Sequence, residues 1–578
     1  MSTRTYLRSL PTPFLEKVIM KMFKQTTLFV AMLLGLILPQ MQANAQTAAE
    51  KPMAIVAINN YNDLSKDLVY LLDLVGPPGT AQMLQQQGAG FAQMLDVTKP
   101  IGVLVQPDGI LGAKLLAFIP TNNVDQILLI LAGFGIVGDS TPEGLTKIDA
   151  GGTAIYIKQG AGWAFVSNTK EALASPPADP AALLGGLDKQ YDVAIQGNID
   201  AIPEVFKQLM MSQIQVGMQQ SIQEPLPNET EDAFEARRAL AQQGIQDVQK
   251  MINELESITA GFNIDQTRQS VYLDFSVTAK EGTDTAKQFA EEDTTTQLAG
   301  FLTDSAAVQM NVASTFDTAQ ADQINISLET LRTQAIAQIQ NDPTIPNEEL
   351  RALAIKAIST FMDVGKATLS SGKIDLAGSV NLTDTGISVV AAAVVPQAEQ
   401  LDQIVREFVK IASEQDPSFP KVEIDALKKG GTSFHVIRVP IPEYETEARS
   451  AFGDAVEISI GMGPDRVYIG VGKDNLKQLE AAIDASAANK GKTVSAGLLK
   501  GSVNKILQFA AEQTQDLTLQ QAAAAAASVA GKDTVSMEAT TIKNGGRYRI
   551  ELEAGVLKAI AVGVMAAQAE AGLDDSPF

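Results

Sequence analysis

The chain has 578 residues, 44 Lys and Arg against 67 Asp and Glu, a net charge of −23, one histidine and no cysteine. Zero cysteines exclude disulfides, thiolate metal sites, a cysteine nucleophile and a lipid-modified N-terminal cysteine. The acidic surface repels phosphate backbones and anionic headgroups, so nucleic acid and membrane surfaces are disfavoured as partners.

The first element is a leader. Lys21 and Lys24 form a basic region, 28–38 (LFVAMLLGLIL) is an eleven-residue apolar run, and Ala43-Asn44-Ala45 has the small-x-small form of a cleavage site. The run is shorter than the roughly 20 residues a bilayer span requires. It is therefore expected to be a signal peptide cleaved after Ala45, with Met20 or Met22 as the better start. The mature protein is then extracytoplasmic, periplasmic or secreted. Its 533 residues carry a net −27, because residues 1–45 hold five cations and one glutamate. No later segment reaches transmembrane length; the most apolar, 555–567, is short and interrupted by Lys558.

The mature chain opens on a strand at 54–58. Asn59-Asn60-Tyr61-Asn62 is a cap-rich turn, and Leu64, Leu68, Leu71, Leu72 and Val75 have helical spacing. Pro77-Pro78-Gly79 breaks that helix, and a second runs over 80–95. Strands at 101–105 and 111–119 follow, joined by the turn tripeptide Pro107-Asp108-Gly109, then a helix at 124–131. The unit is strand, helix, helix, hairpin, helix. The same order restarts at Tyr191, with helices predicted at 202–222 and 231–258 and a hairpin of 257–264 with 270–277. It restarts again at Ala307, with a hairpin of 374–382 and 387–395. The last pass begins near Val494, and its hairpin turns at Asn544-Gly545. The first and third passes add meanders at 145–167 and 422–471.

These passes group into a repeat displaced by about 276 residues. Ile148-Asp149-Ala150 and Gly151-Gly152-Thr153 recur as Ile424-Asp425-Ala426 and Gly430-Gly431-Thr432, and Pro120 recurs as Pro396. Val271-Tyr272-Leu273-Asp274-Phe275 meets Tyr548-Arg549-Ile550-Glu551-Leu552 at 277. The expected organisation is a leader at 1–45 and two repeat halves. The first, 46–300, has modules 53–180 and 190–300; the second, 301–578, has modules 305–486 and 493–573. Hairpins joined by short turns make the expected class α+β, each half a mainly antiparallel sheet with helices on one face.

The chain carries few motifs for chemistry. His435, the single histidine, stands in an alternating strand and would have to serve any Ser-His-Asp triad; a passive strand histidine is the expected role. Gly491-Lys492-Thr493 resembles the end of a phosphate loop but has Ser486 where the first glycine belongs, and 365–373 has the wrong spacing. Glu443, Glu445 and Glu447, and Glu291-Glu292-Asp293, are acidic clusters expected to be solvated. The glycine pairs are expected to make tight turns. Trp163 is expected in a core strand. Met210, Met211, Met218 and Met251 are expected either to line a groove or to pack as plain core.

The phrase Trp163-Ala164-Phe165-Val166-Ser167-Asn168-Thr169-Lys170-Glu171-Ala172, with the order of elements and the leader, resembles exported bacterial proteins, planctomycete-type among others, grouped as a domain of unknown function. The resemblance covers 53–175 and, more faintly, 305–485. It implies an extracytoplasmic location and brings no catalytic residues. Catalytic, cofactor and metal residues are each expected to be none. The expected function is a non-catalytic exported binding module or cell-envelope structural component, with a protein, peptide or lipid ligand. The alternative is an extracytoplasmic hydrolase using carboxylates or a Ser-Lys pair.

Overall fold

A computed structural model describes residues 51–570, apart from 109–111, 134–136, 151, 226–230, 291, 316–317, 343–344, 346, 384–385 and 416–418. The first ten strands are β1 (Ala54–Ile58), β2 (Ile101–Asp108), β3 (Gly112–Pro120), β4 (Gly138–Ser140), β5 (Thr146–Ala150), β6 (Thr153–Gly160), β7 (Trp163–Ser167), β8 (Val193–Asn198), β9 (Leu255–Asp265) and β10 (Ser270–Ala279). The next six are β11 (Thr295–Thr296), β12 (Val308–Thr315), β13 (Lys373–Thr383), β14 (Gly386–Val394), β15 (Lys421–Lys429) and β16 (Thr432–Pro440). The last six are β17 (Ala455–Met462), β18 (Arg466–Gly472), β19 (Lys492–Thr493), β20 (Gly497–Ser502), β21 (Thr534–Ile542) and β22 (Gly545–Glu553).

Twenty of these form one sheet, α+β in class and antiparallel at every pairing. From one edge the order is β4-β5-β6-β7-β3-β2-β1-β8-β9-β10. It continues across a seam between β10 and β22 into β22-β21-β20-β12-β13-β14-β18-β17-β16-β15. β11 and β19 pair separately. Counted outward from the seam, the two sides meet their strands in matching chain order: a hairpin, a strand, a strand, a hairpin, then the returning meander. At the seam itself, Val271 to Phe275 lie opposite Leu552 to Tyr548, with Leu273 facing Ile550 at the midpoint. The two segments aligned in sequence are thus each other's partners. The Gly-Gly-Thr landmarks fit less well. The β5–β6 hairpin occupies the ninth and eighth places from the seam, whereas β15–β16 occupies the tenth and ninth. The extra helix Thr446–Phe452, inserted between β16 and β17, accompanies that offset; by place in the sheet, β6–β7 corresponds to β17–β18.

Directly opposed residues share a face, so one row follows the core face through the whole sheet. Phe165, Phe118, Gly102, Ala57, Ala194, Gly261, Asp274, Arg549, Glu538, Leu498, Asn311, Ala377, Ala392, Tyr468, Gly461 and Phe434 are successive partners. In the first half this face packs under Leu173, Leu184 and Leu187, with Trp163 in the same core. In the second half it packs under Leu298, Phe301 and Leu479. Each is a dry aromatic-aliphatic cluster of the kind that must hold a disulfide-free chain together.

Helices on one face only would leave the other open, and the structure corrects that expectation. Leu479, on the helix Asn475–Ala488, reaches within 2.8 Å of where a Cβ on Gly470 would stand, on the core face. Phe289, on the helix Asp284–Ala290, lies 3.1 Å from the equivalent point on Gly546, and Ile506, on the helix Val503–Thr514, lies 3.8 Å from that on Gly501. Both of these belong to the opposite face. The outer strands carry apolar residues on both sides, as in Trp163-Ala164-Phe165-Val166, so both sides must be covered. The helix predicted over 231–258 ends at Glu254, where Leu255 enters the core and the Glu254 carboxylate accepts from the N–H and hydroxyl of Thr285. A third cluster, Ala522, Ala526 and Ala559, closes the helices Leu517–Ala527 and Ala554–Glu570 on each other. The small side chains permit that close approach.

Candidate binding surface

The face opposite the core is unusual at its centre. Among the described residues, nine large hydrophobic strand residues are more than a third exposed: Ile258, Phe275, Met310, Val439, Ile469, Leu499, Met537, Tyr548 and Ile550. Register places all nine on that open face. Leu273, Ile550, Met537, Leu499 and Met310 are successive cross-strand partners, continuing through Gly378 and Ala391 to Ile469. Phe275 and Tyr548 oppose each other in the next row, Tyr548 at 66% exposure. The ladders on both sides use the strand N–H and C=O groups, so beyond the Tyr548 hydroxyl the band presents hydrocarbon and thioether. Phe289 bounds it towards one set of strand ends and Ile506 towards the other. Single exposed hydrophobics need no explanation, whereas a contiguous band makes this face the candidate docking surface.

Behind the band, the core face at the seam is ionic. Arg549 grips Asp274 through two bonds, 2.7 and 2.8 Å, and the Tyr191 hydroxyl donates to the same carboxylate at 3.1 Å. The guanidinium lies 3.8 Å over the Tyr272 ring. The Asp274 side chain is 1% exposed and that of Arg549 12%. Hydrogen bonding to Asp274 raises the Arg549 pKa further, and burial followed by the Asp274 charge raises that of Tyr191.

His435 is fully buried on the open-face side, beneath the helix Glu399–Gln415. Its Nδ1 accepts from the backbone N–H of Asp425 at 3.1 Å, so the ring proton sits on Nε2, which donates to Asp402 at 2.5 Å. Arg406 ties Asp402 to Asp425 at 2.9 and 2.5 Å. Both ring nitrogens are committed, and the one that would take a serine proton is held by the main chain. Asp425 itself has φ of 56° within a bulge of β15, and the Arg406 guanidinium depresses its carboxyl far below the usual range. The sequence landmark Ile424-Asp425-Ala426 is therefore a bulge buttress.

The remaining candidates separate. Glu443, Glu445 and Glu447 are exposed. Glu292 accepts from Ser314, and Asp293 is pulled down to about 2 by bonds from Lys373 and Thr295; Glu291 lies outside the described residues. Gly152, Gly430 and Gly431 have positive φ, as their tight turns require; Gly151 lies outside the described residues. Lys492 and Thr493 form β19, and Gly365 sits inside the helix Glu348–Ser370. Met211 is buried, while Met210 and Met251 are about half exposed.

One pair escaped the sequence. Asp192, 1% exposed, meets Asp67 from the helix Tyr61–Val75. Burial first, then the Asp67 carboxylate, push Asp192 up to about 6, against the Ile264 N–H that donates to it at 2.8 Å. Asp67 is raised by burial although Gln266 donates to it at 2.7 Å. The two are 125 residues apart, and nothing in either local pattern marks them. Among the described residues no group of three or more His, Cys, Asp or Glu has metal-binding placement, and no helix is long and apolar enough to cross a membrane. No family model, curated protein or solved structure matches the chain.

Proposed function

We propose that this chain is an exported, non-catalytic binding protein of the cell envelope, and that the open-face band is its docking surface. The observation that carries the reading is the collection of all nine exposed strand hydrophobics on one face. Export rests on the leader at 1–45. The fold is read as a tandem duplication, supported by the matching strand order on the two sides of the seam and by aligned segments that pair with each other about Leu273 and Ile550. Such self-complementary pairing is the form of a two-fold dimer interface, here contained within one chain. The shifted Gly-Gly-Thr hairpins count as divergence after the duplication.

The test is titration of the full chain with an environment-sensitive apolar dye. Leu499→Lys with Met537→Lys, both on exposed sites, should weaken dye binding at least about tenfold, ~1.4 kcal/mol, with thermal unfolding unchanged. Equal binding by the variant would refute the surface. The mass of the mature protein tests export, with Gln46 expected as its first residue. The hydrolase alternative draws support from the Asp67 and Asp192 pair, two neighbouring carboxyls that burial raises together. Burial of Asp192 behind the Ile264 amide argues against it. Turnover of an ester, glycoside or peptide substrate that is lost in Asp192→Asn would put the hydrolase first.

A further inference from the structure

At one end of the band, where the strands β8, β9, β10 and β22 finish or begin, a shallow cavity of about 390 Å³ is lined by Asp200, Glu256, Thr278, Lys280, Glu281, Lys543 and Asn544. It adjoins the band, since Glu256 stands two residues before Ile258 on β9, and Lys543 and Asn544 form the turn into β22. Its charges are mixed. Lys51 satisfies Oδ2 of Asp200 at 2.9 Å, while Oδ1 of Asp200 is buried without a hydrogen-bond partner. Lys280, whose ammonium also donates to the Asn253 carbonyl at 2.6 Å, and Lys543 supply cations on the other walls.

We propose that the band and this cavity together bind one amphiphile, a zwitterionic glycerophospholipid, with its acyl chains on the band and its head group in the cavity. The inference rests on the binding reading above and names the ligand class. The head-group ammonium is received by the Asp200 and Glu281 carboxylates, and the phosphate by Lys280 and Lys543. Three other occupants fit worse. A peptide strand finds no free ladder, because each of the nine strands β9-β10-β22-β21-β20-β12-β13-β14-β18 has neighbours on both sides, and laid on the face it would bury unpaired N–H and C=O groups. A second copy needs more surface. Nine strands about 4.8 Å apart and two side-chain rows about 7 Å apart give roughly 500 Å², against about 800 Å² per partner in a stable complex. Two copies at a net −23 also repel. An anionic lipid is disfavoured by the same charge.

The experiment incubates the full chain with vesicles of phosphatidylethanolamine or of phosphatidylglycerol, removes the vesicles, and reads bound lipid by native mass spectrometry. A one-to-one adduct with phosphatidylethanolamine is expected, with phosphatidylglycerol bound at least about tenfold more weakly. Lys543→Glu should cut the phosphatidylethanolamine adduct several-fold while leaving apolar dye binding intact. Leu499→Lys with Met537→Lys should abolish both. Dye binding without any lipid adduct overturns the lipid assignment and leaves the docking surface standing, and so does a preference for phosphatidylglycerol. Failure of both dye and lipid overturns the two together. A dimer, or the 28–38 segment retained in the mature chain and protecting the band from dye, also overturns the proposal.

Discussion

Asp274→Ala is the most exacting test of how the two halves are joined. The substitution removes both bonds to Arg549 and the acceptor of the Tyr191 hydroxyl, in a place where Asp274 is 1% exposed. Breaking a buried pair from one side costs about 3–5 kcal/mol, because the surviving charge stays desolvated. Arg549 retains 12% exposure and its stack on Tyr272, which bring the figure to the lower end, about 3 kcal/mol. Urea unfolding followed at two wavelengths measures it. Trp163, the only tryptophan, reports the first-half core alone, and far-ultraviolet circular dichroism reports the whole chain. In the parent protein the two curves should coincide; in Asp274→Ala the midpoint should fall and the curves separate as the seam loosens. Asp274→Asn with Arg549→Met, which removes both charges, should recover at least half the loss. A loss below about 1 kcal/mol, or a double variant no better than Asp274→Ala, would refute the view that an uncompensated guanidinium is what destabilises the seam.

Other consequences are nearer to single residues. The folded state raises Asp192 from its ordinary 3.8 to about 6, so folded protein holds that proton more tightly than unfolded protein. The associated stability is full below pH 4 and is lost as pH rises through about 6, with a magnitude of about 2–3 kcal/mol. Asp192→Asn should therefore stabilise the protein at pH 7.5 and flatten that part of the stability–pH profile; an unchanged profile refutes the pair. His435→Ala should cost about 3 kcal/mol in urea midpoint, from a cavity plus a stranded Asp425 N–H, and a loss under about 1 kcal/mol would show the network to be idle. A Cβ on Gly261 would stand 2.6 Å from the Tyr191 ring. Gly261→Ala should thus cost about 1–3 kcal/mol and loosen Tyr191 from Asp274, readable by thermal unfolding.

The legible parts of this fold were those encoded over short distances. The hairpin at Asn544-Gly545 could be placed because the turn needs positive φ, and Asn544 has 55°. The capped helix after Asn60 could be placed because that side chain accepts from the Asp63 N–H. What lay hidden was long-range. No periodicity says that β10 pairs with β22 at a separation of 277 residues, although the alignment of the two segments contained the hint that like strands could meet. The open-face band was invisible for a related reason: Met537 and Met310 each alternate with polar neighbours as core-facing residues do, and Leu499 follows Leu498, so nothing local says which of the two faces the core. Only the register shows that they lie on the side whose centre the helices leave uncovered. The Asp67 and Asp192 pair joins a helix to a strand start, and neither position is distinctive in a chain with 67 acids.

The seam also bears on why the sheet can be so wide. Open sheets rarely exceed about ten strands without curling or splitting, and each half contributes ten. A half on its own would expose β10 or β22 as an edge of nine or ten residues carrying Phe275 or Tyr548, a template for uncontrolled pairing. Joining the halves through those strands removes both inner edges at once, and Asp274 with Arg549 fixes the partner and register from the core side. The edges that remain are poor templates. β4 has three exposed residues, and β15 carries the Asp425 bulge with Lys421, Lys428 and Lys429 along it. Growth of the sheet is blocked at its rim, while its apolar centre stays open to solvent. Selection against edge pairing therefore leaves the band unaccounted for, and the ligand proposed above would supply the missing reason.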